Sequence, residues 1–478
     1  MKWRPWLVAP IVLALGGCDF APRYAPPSVA TPSKFKDEPA GSGSLPASGE
    51  WWLSFNDRTL NELQAQVDAA NPNLAAAVAA NEVAVARANE ALSNAYPQIH
   101  GVPHFLANKQ SANRPLRSSN QPTYYGDNAL AAQTSYEIDI WGRVRDLVNS
   151  ANANAEASAD ALADARLELH AELARDYVNL RGLDEEAKLF ADTITIYNSA
   201  LKLTQDRLAA NIVSPVDVDR AQAQLSSAQA QLSDLTLNRV TLENSIAALV
   251  GKSAASFSVA RSSSRLPLPK APRTVPADVL RNRPDVAESE RQTAAASEQI
   301  GASRANFFPR LSLIALGGTQ DTNFRLFNPN NLFGTIGPSI DIPLFDAGLR
   351  QAELQIAKAQ FTEAAEDYRA TVLRAMKEVQ DELSSLRWLA DEYNQTTTAA
   401  VAARKAADLS LTLYRDGASS FLDVVTAQSA ALEAEGQAIA LHTRQLVAEI
   451  GLMLALGGGW TAPPEPLAKP AFAPYLAE

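Results

Sequence analysis

The run ALAAQTSYEIDIW, starting at Ala129, alternates strictly. Leu130, Ala132, Thr134, Tyr136, Ile138 and Ile140 fall on one face of an extended chain, with Gln133, Ser135, Glu137 and Asp139 on the other. GTIGPSIDIPLF, starting at Gly334, repeats the pattern, opposing Ile336, Pro338, Ile340 and Ile342 to Gly337, Ser339 and Asp341. QIHGVPHFLANK and RLSLIALGGTQ supply two further segments, and together the four predict strands over 98–109, 128–140, 310–320 and 332–343. A segment of about ten residues with one apolar and one polar face suits a strand with lipid on one side and water on the other. One such segment alone suits a half-buried strand of a soluble sheet at least as well. Four of them, in two pairs and flanked by long helical stretches, favour the membrane. The connecting stretches Gln110–Asp127 and Asp321–Asn331 are polar and rich in Asn, Ser and Pro, as loops on the extracellular side of a barrel would be.

Between the strand pairs the period changes. No proline occurs from Thr123 to Ser214 or from Leu344 to Ala462. Proline removes a helix hydrogen bond and clashes with the preceding turn, so such gaps permit very long helices. The pattern predicts long helices over 143–211 and 347–415, shorter ones over 215–250 and 420–456, and a helix over 284–308. Either long helix would extend on the order of 100 Å, more than a compact globular domain holds. In the first shorter helix Val218, Ala221, Leu225, Ala228, Leu232, Leu235, Leu242, Ile246 and Leu249 keep a 3-4 spacing broken by Arg239. In the second, Val424, Ala427, Ala431, Ala434, Ala438, Leu441, Ala448, Leu452 and Ala455 keep it, broken by Gln445. Both read as coiled-coil seams. The stretch ANANAEASADALADAR (Ala151–Arg166) places alanine at nearly every second position, which suits a helix packed on both flanks. An isolated solvent-facing helix of high propensity is the alternative.

The chain is also repeated upon itself. NPNLAAAV at Asn71 matches RPDVAESE at Arg283, and AYPQI at Ala95 matches FFPRL at Phe307; Pro72 and Pro97, like Pro284 and Pro309, lie 25 residues apart. SYEIDIWGRVR corresponds to SIDIPLFDAGLR. SPVDVDRAQ at Ser214 corresponds to SFLDVVTAQ at Ser420, 206 residues later, and the breaks at Arg239 and Gln445 share that offset. A period this long implies two pseudo-equivalent halves and not a solenoid of short repeats. The organisation expected is a signal peptide over 1–17, an N-terminal tether over 18–50, a first repeat over 51–270, a second over 271–460, and a Pro-rich tail over 461–478.

The net charge of −11 argues against nucleic acid, which demands clustered Lys and Arg. MKWRPWLVAPIVLALGG opens with Lys2 and Arg4 and carries an apolar run from Trp6 to Leu15, too short to span a bilayer but suited to a secretory signal. It ends in Leu15-Gly16-Gly17-Cys18, similar to a bacterial lipobox, with Cys18 as the site of lipid attachment; the alternative is a free buried thiol. There is no second cysteine for an intrachain disulfide. In some sorting systems an acid in the position of Asp19 favours retention at the inner membrane. Ala21–Gly49 is rich in Pro, Ser and Gly and reads as an extended tether. His100, His104, His170 and His442 are scattered, with no metal-ligand spacing, phosphate-cradling loop or nucleophile elbow.

Taken together, the lipobox and its Pro-rich follow-on, the YPQI and FPRL entries, EIDIWGR with IPLFDAG, and the SPVDV and SFLDV turns resemble the outer membrane factor family, the TolC-like and NodT-type efflux lipoproteins. The resemblance covers nearly everything from Cys18 to Gly459. It implies an α+β membrane protein: a homotrimer sharing one outer-membrane β-barrel, four strands per protomer, continued by a long α-helical periplasmic barrel. Independently, four strands cannot close around water, and open edges are not tolerated in lipid, so several chains must combine.

The resemblance also implies that the two interhelical turns form a gate at the periplasmic end. Asp423 then matches a pore acid, Asp217 the acid of a tie between helix pairs, and Tyr414 the tyrosine that reaches it. This sequence carries Ser419 where a basic residue of the tie is expected and Thr426 where a second pore acid is expected; Arg415 is a further supporting candidate. Asp217 reads equally as a helix N-terminal acid, with Ser214 as cap and Pro215 at the first helical position. The expected role is a non-enzymatic outer-membrane channel of a tripartite efflux pump. It would conduct small molecules such as drugs passively from an inner-membrane transporter and its periplasmic adaptor, with no cofactor beyond lipid on Cys18. The alternatives are an exit duct for type I protein secretion and a non-channel periplasmic coiled-coil lipoprotein.

Overall fold

The computed structural model describes residues 20–30, 35–36, 49–111, 113–115, 118, 120–269 and 283–461. The expected signal peptide, Cys18, Asp19 and all but the first residue of the tail lie outside them. A 3-10 turn at Trp51–Phe55 precedes α1 (Arg58–Ala70) and α2 (Pro72–Ser93). Then come β1 (Gln98–Gly101), β2 (His104–Lys109), β3 (Tyr124–Ile138), α3 (Arg143–Ala209) and α4 (Pro215–Leu249). The second half supplies α5 (Pro284–Ala305), β4 (Arg310–Asp321), β5 (Leu332–Asp341), α6 (Leu349–Arg415) and α7 (Phe421–Ala455). Helices in corresponding places have equal lengths: 22 residues for α2 and α5, 67 for α3 and α6, 35 for α4 and α7.

Element ends depart from the expected bounds for local reasons. The first strand is split because Pro103 has no N–H to give the ladder. β3 begins four residues inside the expected loop, where Tyr124–Asp127 pair with Leu106–Lys109. It ends at Ile138 because the Asp139 carboxylate turns to cap α3, accepting from the N–H groups of Val144 (3.2 Å) and Arg145 (2.9 Å). α6 starts at Leu349, since Ala347 and Gly348 both have positive φ and Asp346 accepts from Gly348 N–H at 2.9 Å. α5 stops short of Phe307, in the turn ahead of Pro309.

The described chain forms two compact units whose bounds differ from those of the expected repeats. One draws on the N-terminal segment to Ser28, Ala80–Ala159 and Glu288–Arg369; the other on Val29–Ala79, Asp160–Ala287 and Ala370 onward. Each takes material from both halves.

The first unit holds an antiparallel sheet in which β1 and β2 both pair with β3, β3 with β4, and β4 with β5. The register collects the alternating residues of all strands onto common faces. Ile138, Leu311 and Ile340 share a row; so do Tyr136, Leu313 and Pro338, and Ile99, Thr134, Ala315 and Ile336. The opposite face carries Glu137, Ser312 and Ser339, then Gln133, His100, Leu316 and Thr335. One face is thus apolar and exposed, with Ile99 and Ile336 each 75 % accessible, and the other is mixed and more polar. Part of the expected tether is docked in this unit. The Phe20 ring stacks on Phe308 at 4.6 Å, Arg304 donates to the Phe20 carbonyl at 2.9 Å, and Tyr24 donates to the Glu290 carbonyl at 3.1 Å.

The second unit has a packed core of Trp51, Phe55, Leu60, Val67, Tyr177, Ile246, Val250 and Ile450. Both breaks in the coiled-coil seams are buried, Arg239 at 5 % accessibility and Gln445 at 3 %. Arg239 is held by Asp184 (2.7 Å), Glu243 (3.2 Å) and the Val259 carbonyl (2.7 Å). Among the described residues α7 is the one helix long and apolar enough to cross a bilayer. Part of its apolar face is spent on this core, to which Leu446, Ile450 and Met453 belong.

Candidate functional site

The two interhelical turns are built alike. At the end of α3 Asn211 takes a left-handed φ of 57°, and Ile212 N–H returns to the Arg207 carbonyl at 2.9 Å. At the end of α6 Gly417 has φ 77°, and Ala418 N–H returns to the Leu413 carbonyl at 2.8 Å. Both are Schellman closures, which end a helix by turning its last carbonyls back on following N–H groups. Each following helix opens on Ser-x-x-Asp. Ser214 caps α4 by accepting from Val216 N–H, with Pro215 at the first helical position. Ser420 caps α7 in a full capping box: Asp423 N–H donates to Ser420 Oγ at 3.3 Å, and Ser420 N–H donates to the Asp423 carboxylate at 3.1 Å.

Under these turns lies a shared apolar cluster of Tyr197, Leu201, Ala221, Leu225, Phe421 and Val424. Tyr414 belongs to it at 3 % accessibility, its ring 5.3 Å from that of Phe421. Burial pushes the Tyr414 pKa up, opposed by the nearby Arg207 guanidinium and reinforced by Asp217.

The candidates named from sequence are brought to one end of one unit, but their bonds differ from those expected. Among the described residues Tyr414 Oη makes no well-formed hydrogen bond, so the tie to Asp217 is not made. Asp217 instead faces Arg220, one turn along its own helix, at 3.6 Å. Asp423 is exposed and occupied by its capping box. Ser419 Oγ lies 3.4 Å from the Ser410 carbonyl, and Thr426 donates to Leu422 in its own helix at 2.9 Å. The Arg415 side chain lines a cavity of about 390 Å³ with Tyr197, Arg404 and Gln428.

Arg207, unnoticed in the sequence, holds the end of α6. Its guanidinium donates to the carbonyls of Tyr414 (2.8 Å) and Arg415 (2.7 Å) and lies 4.5 Å from the centre of the Tyr414 ring. Its position in the last turn of α3 gave no signal, because the partners lie more than 200 residues away.

A sequence model described as outer membrane efflux protein matches residues 63–252 and 275–458, well over half of the chain. The chain belongs to the outer membrane efflux protein family. It is 28 % identical over 458 residues to nodulation protein T of Rhizobium leguminosarum bv. viciae, covering 95 % of this chain and 93 % of that one. It is 29 % identical over 471 residues to the solvent efflux pump outer membrane protein SrpC of Pseudomonas putida, covering 94 % and 97 %. The solved outer-membrane channel OprN superposes with a TM-score of 0.87 at 27 % identity, covering 93 % of this chain and all of that one. The Campylobacter jejuni CmeC outer membrane channel shares the fold, with a TM-score of 0.88 at 21 % identity. As a family member, this chain is an outer-membrane efflux channel protein that spans the outer membrane and extends into the periplasm.

Proposed function

We propose that three copies of the chain form the outer-membrane duct of a tripartite efflux pump, passively conducting small molecules passed on by an inner-membrane transporter and a periplasmic adaptor. The observation that carries this reading is the sheet register. It gathers an exposed apolar face suited to lipid and a more polar face suited to water, and it leaves the outer edges of β1–β2 and β5 without a partner strand among the described residues. The paired turns at Ser214 and Ser420 act as the periplasmic gate, with Asp423 facing the pore, and lipid on Cys18 adds a second hold on the membrane. Relatives whose names include a solvent efflux pump protein and a pyoverdine export protein support small molecules as the cargo. The test is a deletion strain complemented with the gene, paired with planar-bilayer recording of the purified protein. The expected outcome is restored tolerance to a panel of drugs and discrete ion-conducting steps. Material that inserts but never conducts would remove the duct.

A further inference from the structure

The turns are alike in backbone but not in what holds them. Counting 206 residues along, the counterpart of Arg207 is Leu413, and the counterpart of Tyr414 is Leu208. Among the described residues the clamp is therefore made once and in one direction, from α3 to the end of α6. A helix C-terminus leaves carbonyls without intrahelical partners and carries partial negative charge, so a cation there is favoured twice, by bonding and by the dipole. Arg207 meets both demands: it donates to two successive terminal carbonyls of α6, and its plane lies against the Tyr414 ring.

We infer that Arg207 is the positioning residue that locks the tip of α6 to α3, supplying from the opposite helix a cation to the terminal carbonyls of α6. This rests on the gate reading above and deepens it. Three observations favour Arg207 over the residues first named. Asp217 is turned to Arg220, Asp423 is engaged with Ser420, and the Tyr414 hydroxyl has no well-formed bond among the described residues. What fixes Tyr414 is its buried ring and its carbonyl, and Arg207 touches both. α6 runs directly into the turn that presents Asp423, so freeing its last carbonyls frees that acid to move.

The experiment is single-channel recording in planar bilayers of wild type, Arg207→Ala, Arg207→Lys and the double variant Asp217→Ala/Asp423→Ala, with the melting of each assembled protein measured alongside. Arg207→Ala is expected to raise mean conductance several-fold without moving the melting temperature by more than a few degrees. Arg207→Lys is expected to fall between, because an ammonium keeps the charge but cannot present the planar fork that reaches two carbonyls. If the acid variant opens the channel while both Arg207 variants conduct like wild type, the clamp is overturned and the gate stands. If none of the variants changes conductance, the gate reading falls and takes the clamp with it. Should Arg207→Ala fail to assemble, Arg207→Lys decides: wild-type conductance overturns the clamp, and an increase supports it.

Discussion

Glu243 and Glu449 occupy matching places in α4 and α7, 206 residues apart, yet their surroundings have diverged. Glu243 pairs with Arg239 one turn before it. Glu449 has Gln445 in that position, is 3 % accessible, and leaves its Oε2 without a hydrogen-bond partner among the described residues. Burial alone pushes its pKa up to about 8. The unfolded chain releases this proton near the ordinary carboxyl value and the folded chain holds it until about 8, so the folded state binds more protons in between. Stability from this residue therefore declines as pH rises from about 4.5 to about 8 and is flat beyond. Glu449→Gln is expected to stabilise the protein at pH 7 by on the order of 2 kcal/mol and to flatten that slope. Thermal melts from pH 5 to pH 8 check this. Asp176, pushed up to about 6 by burial, adds a slope of the same sign, so the comparison is between variant and wild type. Equal slopes in the two would mean that Glu449 ionises normally. The polar slot itself was legible in the sequence, as a seam broken twice at one offset. That one position carries Arg239 and the other Gln445 was also legible, but the cost to Glu449 was not, because only the fold shows both positions to be buried.

The elements show a similar division between what a pattern reveals and what contact decides. The expected bounds 143–211 and 347–415 lie within two residues of each end of α3 and α6, inside which no proline interrupts the hydrogen-bond ladder. The strand ends were less legible, because Asp139 and Tyr124 could each have continued or ended an extended run until their partners were known. The association of α3 with α4 rests on a buried charged cluster as well as on the apolar seam. Asp184 accepts from Arg239 at 2.7 Å, Arg181 at 3.3 Å and the Ser262 N–H at 3.1 Å. Both arginines also donate at 2.7 Å to carbonyls of the segment that follows α4, at Val259 and Ala260. Removing the acid leaves two buried guanidinium groups short of a counter-charge, which costs roughly 3–5 kcal/mol in such settings. Asp184→Ala is thus expected to lower the melting point sharply, with Asp184→Asn close behind because the amide restores shape but not charge. A loss below about 1 kcal/mol in both would show that the neighbouring acid Glu243 suffices to balance the cluster.

At the scale of the whole molecule, the proposed trimer would have to close a sheet that one chain leaves open. β1, β2 and β3 from the first half and β4 and β5 from the second form one sheet, whose outer edges on β1–β2 and β5 have no partner strand among the described residues. Within the chain Ile99, Thr134, Ala315 and Ile336 form one row. Closure of a barrel staggers the register around the circumference, so Ile99 of one copy should not meet Ile336 of the next at the same level. It should meet a residue displaced along the same face of β5. In a Cys18→Ser background, which removes the chain's one native cysteine, Ile99→Cys can be combined in turn with cysteine at Leu332, Gly334, Ile336, Pro338 or Ile340. Disulfide formation requires Cα atoms within about 7 Å, so only one or two adjacent positions should link on mild oxidation. Those that link should yield a covalent trimer on denaturing gels, because three equivalent junctions close one ring. Linkage at every position would indicate a mobile edge and no fixed stagger. Linkage at none, from chains that still associate in threes, would mean that the copies meet through their helices while the sheets stay apart, and the shared barrel would have to be abandoned.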